Sequence, residues 1–204
     1  MPDRVLLAAG IAMPALYFAT LILAGVANPG VSEGLPPSML GTAGAPHPWV
    51  FNAGAIASGV AGVLGAIGLA RALPRLGAGR VVAWLSAATV LLPCVALVMA
   101  GLFPLPNPLH YGFSLTLAGL FAPLLGAVAL RRARDDAPAV MLMVAAFVLV
   151  LVLFAALSGV GRFVNDDNAG YWIRAVAVPL FGSVGFLAWR VRRALANGVA
   201  TPAR

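Results

Sequence analysis

Apolar residues gather along this chain in six long blocks, residues 5–26, 49–70, 81–102, 109–130, 138–160 and 169–190, with most of the polar residues between them. About 20 apolar residues in a row are what an α-helix needs to cross the hydrocarbon core of a bilayer. The pattern therefore predicts an all-α integral membrane protein, a bundle of six transmembrane helices forming one domain over residues 1–204. Six such spans use up roughly 120–130 residues, too many to leave room for a separate soluble domain. The first loop is roughly twenty residues long and rich in proline, whereas the others run to about ten residues or fewer. Short loops make consecutive helices antiparallel neighbours.

Inside the blocks, small residues recur on one side. Gly54, Ser58 and Gly62 are spaced by four in the second block, with Gly59 and Gly65 beside them, and Gly112, Gly119 and Gly126 are spaced by seven in the fourth. Lipid gives helices no hydrophobic reason to associate, so close contact relies on such residues. These faces are expected to pack against neighbouring helices; a homodimer seam would use the same chemistry. Pro14, Pro93, Pro123 and Pro179 fall within blocks, where each removes a backbone donor and can kink its helix. The middle of each block is free of Asp, Glu, Lys, Arg and His. Intramembrane ionisable groups mark proton relays and ion paths, and their absence argues against a proton-coupled pump or transporter.

Composition adds direction. Charged residues make up 9% of the chain, well under the quarter or so of a soluble domain. All thirteen basic residues are arginines. Arg4, then Arg71, Arg75 and Arg80, then Arg131, Arg132 and Arg134, then Arg190, Arg192, Arg193 and Arg204 fall at the N-terminus, the even-numbered loops and the C-terminal tail, and only Arg162 and Arg174 fall on the other side. This is the positive-inside pattern, with both termini cytoplasmic and the odd-numbered loops outside. Taken alone, a net charge of +7 would point to nucleic acid. The position of these arginines at helix ends points instead to anionic lipid head groups. The first block is longer than a signal-peptide core, and Asp3 offsets Arg4, so it is expected to be a retained helix. Cys94, the single cysteine, excludes an intrachain disulfide and reads as a small packing residue.

Candidate chemistry collects on the predicted outer side. His47 precedes the second block and His110 opens the fourth; Asp166 and Asp167 precede the sixth, followed by Tyr171, Trp172 and Arg174. Glu33 in the first loop is expected to reach the same rim. Two imidazoles and a carboxylate form the ligand set of many catalytic zinc sites. His47, His110 and Asp166 are therefore the candidate catalytic or metal-binding residues, for zinc or another transition metal. The opposing expectation is structural, since Asp166, Asp167 and Asn168 are good N-cap types and no H-E-x-x-H spacing is present. Asn52, one turn into the second block, is expected to tie the first loop to a neighbouring helix. Arg162 is expected to pair with Asp166 or hold a lipid phosphate. Asn52, Arg162, Tyr171 and Arg174 are thus the ligand- or lipid-binding candidates. Trp49, Tyr111, Tyr171 and Trp172 read as an outer aromatic belt, with Trp84 and Trp189 on the cytoplasmic side.

The run His47-Pro48-Trp49-Val50-Phe51-Asn52, the element Gly101-Leu102-Phe103-Pro104 followed by His110, and Gly161-Arg162-Phe163 with Trp172 resemble the domain-of-unknown-function 998 (DUF998) family over nearly the whole chain. The resemblance implies a six-helix protein of a prokaryotic cytoplasmic membrane without an established reaction. It marks Asn52, Gly101, Pro104 and His110 as signature positions. Gly101, Phe103 and Pro104 are then expected to form a tight turn that sets where His110 points. A more distant likeness to the Frag1/DRAM/Sfk1 group, tied to membrane-lipid organisation, is a likeness of fold and says little about function.

Three functions follow in order of expectation. The first is a membrane binding or accessory protein that holds a lipid, a hydrophobic small molecule or a partner subunit. The second is a metal-dependent hydrolase-like enzyme with an outward-facing His47/His110/Asp166 site acting on a lipid or lipid-linked ester. The third is a transporter of neutral solutes, which needs no internal charge.

Overall fold

The computed structural model describes residues 2–111, 113–133, 135 and 137–198. Gly112, Arg134 and Arg204 lie outside the described residues, as does the side chain of Tyr111. Helices account for all regular structure among the described residues. They are α1 (Asp3–Ala27), α2 (Pro48–Ala72), α3 (Arg80–Leu102), α4 (Phe113–Leu117), α5 (Ala122–Arg132), α6 (Ala137–Leu157) and α7 (Ala169–Ala196), joined in places by short 3-10 turns. Six stretches are long and apolar enough to cross a membrane, with α4 and α5 together making the fourth. The protein is a multi-pass membrane protein.

Each span packs on the next, and α7 returns to α1, which closes the bundle. α7 also touches α2 and α5. It is the most buried span, with 56% of its most apolar stretch inside the bundle, whereas α6 has 11% and lies at the edge. The exposed Met141, Leu142, Val148 and Val152 of α6 therefore form an apolar outer surface suited to acyl chains.

The small-residue faces are used inside the chain. A Cβ on Gly54 would strike the Thr20 side chain of α1, and one on Gly65 would come within 2.5 Å of Gly10 Cα. Gly59 and Gly62 receive Cys94 and Val98 of α3. Gly119 packs on Pro93 and Leu180, and Gly126 on Met143 and Leu187. Cys94 is buried in this packing. Glycine at these positions removes the side chains that would hold the backbones apart.

The fourth span departs from the uninterrupted helix expected over 109–130. It breaks into a 3-10 turn (Pro108–Tyr111), α4, a second 3-10 turn (Ala118–Phe121) and α5. Pro123 is the cause of the second break. It cannot donate to the Gly119 carbonyl four residues back, and the Ala122 N–H donates there instead, in the tighter pattern of a 3-10 turn. The fifth span ends at Leu157, short of residue 160, because Gly159 turns left-handed at φ +94°. The sixth continues to Ala196, well past residue 190, before the Asn197-Gly198 stop, where Gly198 is left-handed.

The ends of the bundle differ. At the arginine end, Asp3 faces Arg71 at 3.2 Å and Arg75 at 2.5 Å, tying the start of α1 to the end of α2. Arg190 of α7 grips Asp135 through two bonds, one of them Nε to Oδ2 at 2.9 Å. Arg190 and Arg193 lie over the Trp189 ring at 5.6 and 5.5 Å. The opposite end carries His47, His110 and the long first loop.

Candidate functional site

The histidine end is built around Asn28, the residue after α1, which is fully buried. Its Nδ2 donates to Ala24 O at 2.8 Å and to His47 O at 3.4 Å, and its Oδ1 accepts from the His47 backbone N–H at 2.6 Å. One amide thus closes the first loop into a ring by fastening its two ends. Proline on both sides of His47 leaves that N–H among the few donors available there. The His47 side chain is exposed and plays no part in this clamp. Asn52 holds the loop from within, its Nδ2 donating to Gly41 O at 3.0 Å. The expected tie of the loop is formed, and it runs from α2 to the loop itself.

Gly101 is still helical. A Cβ there would lie 2.5 Å from Asn52 O, so its role is to let α3 lie close on α2 rather than to form the turn. The turn begins after it: Asn107 N–H donates to Pro104 O and His110 N–H to Asn107 O, both at 3.0 Å. His110 Nδ1 then sits 3.0 Å from Phe103 O, so the turn does set the imidazole's direction. Among the described residues, no three His, Cys, Asp or Glu side chains gather closely enough to share a metal ion. The shared-ligand geometry expected of His47, His110 and Asp166 is not formed.

The last histidine-end loop also differs from expectation. Asn168 occupies the N-cap position of α7, yet its side chain does not cap the helix. It bonds back to Phe163 O at 3.0 Å and to the Asn165 N–H at 2.9 Å. Asn165 Oδ1 accepts from the Asp167 and Asn168 N–H groups, both at 3.1 Å. Asp166 and Asp167 stay exposed, and Arg162, held at φ +56°, forms no ion pair with Asp166.

What the first loop does reach is α7. Gly170 N–H donates to Gly34 O at 2.6 Å. A Cβ on Gly34 would fall 1.8 Å from Asp167 O, and one on Gly170 would fall 2.0 Å from Leu35 O. Only paired glycines allow the loop to lie flush against the start of this helix. Arg174, one turn further on, donates from Nη1 to Glu33 O at 2.5 Å and to Leu35 O at 3.4 Å.

Beneath this strap, α1 and α7 part. Lower down they are in close contact: Gly185 receives Pro14, Ala188 lies on Gly10, and Tyr17 meets Phe181 edge to face at 4.7 Å. Above Tyr17 the helices leave a groove of about 840 Å³, within the range of small-molecule sites. From α1 it is lined by Phe18, Leu21, Ile22, Gly25 and Val26. The α7 wall is Tyr171, Arg174, Ala175 and Val178, and the loop adds Pro29, Val31, Glu33 and Leu40. The floor and walls are apolar, and polar groups collect at the loop end. Ile22, Val26, Tyr171 and Val178 are more than half exposed, so the groove is open to the bundle's outer surface.

Of the four residues expected to bind a ligand, Tyr171 and Arg174 line this groove, Asn52 secures the loop elsewhere, and Arg162 stands apart. Sequence reasoning did not find the α1 wall, because its residues look like any lipid-facing surface. It also missed Asn28. The signal available was a polar residue directly after a long apolar run, with a proline-rich loop following.

Residues 10–190 match the family described as "Protein of unknown function (DUF998)". The chain belongs to that family. No curated protein and no solved structure matches it.

Proposed function

We propose that this DUF998 member is a small membrane-embedded binding protein that holds a lipid in the groove between α1 and α7. The observation that carries the reading is the groove itself: apolar along its length, open sideways, and roofed by a loop that three separate sets of contacts hold in place. A site for a water-soluble substrate has no need of a lateral opening toward acyl chains. Its extent fits one leaflet. Residues 18–26 of α1 span about 12 Å at 1.5 Å per residue, close to half of the roughly 30 Å hydrocarbon core. The aromatic Tyr171 and the charged Glu33 and Arg174 then fall at head-group level.

The arginine distribution supports a cytoplasmic membrane with the arginine end inside, and on that reading the groove belongs to the outer leaflet. A partner subunit's helix seated in the groove is the second reading, since the same apolar walls would accept it. Gly25 provides the test. A Cβ there meets nothing within 4 Å and Gly25 lines the groove, so Gly25→Phe is the variant chosen to fill it: with an unchanged melting curve, lipid carried through purification should fall.

A further inference from the structure

The rim of the groove carries one cation and one anion that do not neutralise each other. Arg174 and Glu33 both line it, yet no ion pair joins them or links either to any other described residue. The guanidinium is committed only to two backbone carbonyls, both through Nη1. Those bonds fix its position and leave its positive charge uncompensated. It has five N–H donors in a fork suited to phosphate, so Nε and Nη2 remain for a ligand. The Glu33 carboxylate is exposed and forms no side-chain hydrogen bond or ion pair with a described residue, although its own backbone carbonyl holds Arg174. Both residues therefore belong to the loop end of one apolar channel, joined through the Glu33 backbone and not through their charges.

Resting on the lipid-holding reading above, we propose that the groove selects a zwitterionic phospholipid whose head group carries a phosphate and a primary ammonium. The phosphate pairs with Arg174. The ammonium, which has N–H donors to offer, pairs with Glu33. The acyl chain runs down between α1 and α7 toward Tyr17 and Phe181. A phospholipid with a phosphate and an uncharged alcohol matches only half of this rim. It brings a negative charge that Glu33 repels.

The experiment uses the full chain in nanodiscs of equimolar phosphatidylethanolamine and phosphatidylglycerol with matched acyl chains. Native mass spectrometry reads the lipids that stay bound on release. Wild type should retain the ethanolamine lipid preferentially. Glu33→Gln, which removes a charge that holds no structural contact, should lower the ethanolamine-to-glycerol ratio by about fivefold, the effect of one rim charge near a membrane surface. Arg174→Gln should lose both lipids, with a melting curve alongside to show that the strap still folds. A wild-type ratio that follows the mixture and does not move in Glu33→Gln overturns the head-group assignment, while lipid loss in Gly25→Phe would leave the groove standing. Full lipid retention in Gly25→Phe overturns both.

Discussion

Asn28 is the only asparagine buried as a whole residue among the described residues, and it holds together the two ends of the first loop. Replacing it by alanine strips His47 of its N–H acceptor and leaves that group to find water at a crowded helix entry. Unfolding of the detergent-solubilised protein should show Asn28→Ala destabilised by about 1–3 kcal/mol, the usual cost of orphaning a buried hydrogen-bonding group. An unchanged midpoint would mean that the clamp is idle. This residue shows where sequence reading stops. A polar residue after an apolar run announces a helix end, but its partner lies nineteen positions away across a loop whose path no local pattern encodes. The histidines show the reverse error. His47 and His110 attract a metal-ligand reading because of their residue type. In the structure it is the main chain of His47 that works, and the ring of His110 turns to Phe103.

Among the helices, much of the architecture was legible. Length and hydropathy alone set six spans in order, and glycine spacing in α2 marked the side that α1 and α3 cover. The contact of Gly10 with Gly65 is backbone on backbone, so an added methyl has nothing flexible to push aside. Gly65→Ala should therefore cost about 1–3 kcal/mol as overpacking. Gly182→Ala, on an exposed face with nothing within 4 Å, should be neutral or slightly stabilising. Equal melting curves for the two variants would contradict the α1–α2 packing. The break in the fourth span was only partly legible. Pro123 signalled a disturbance, but whether the helix bends or tightens depends on the Gly119 carbonyl finding the Ala122 donor. The groove was not legible at all: apolar residues that line a cleft and those that face bulk lipid look alike in sequence, and only the parting of α1 from α7 tells them apart.

For the molecule as a whole, the two ends do different work. The arginine end is cross-braced by ion pairs from Asp3 and Asp135, and the histidine end is strapped by a loop. With the arginine end inside, an impermeant thiol reagent applied to intact cells should label Ala43→Cys and spare Asn197→Cys, both exposed positions, in a Cys94→Ala background. Labelling of Asn197→Cys alone would invert the topology. The central claim is that lipid is held between α1 and α7 rather than merely coating the bundle, and α6, with its larger apolar surface, supplies the natural comparison. The most direct measurement is native mass spectrometry of wild type beside Gly25→Phe and Val148→Phe, the last placed on the exposed face of α6. The account predicts one tightly retained lipid in wild type and in Val148→Phe, and its loss in Gly25→Phe. Retention in Gly25→Phe at the wild-type level would contradict it.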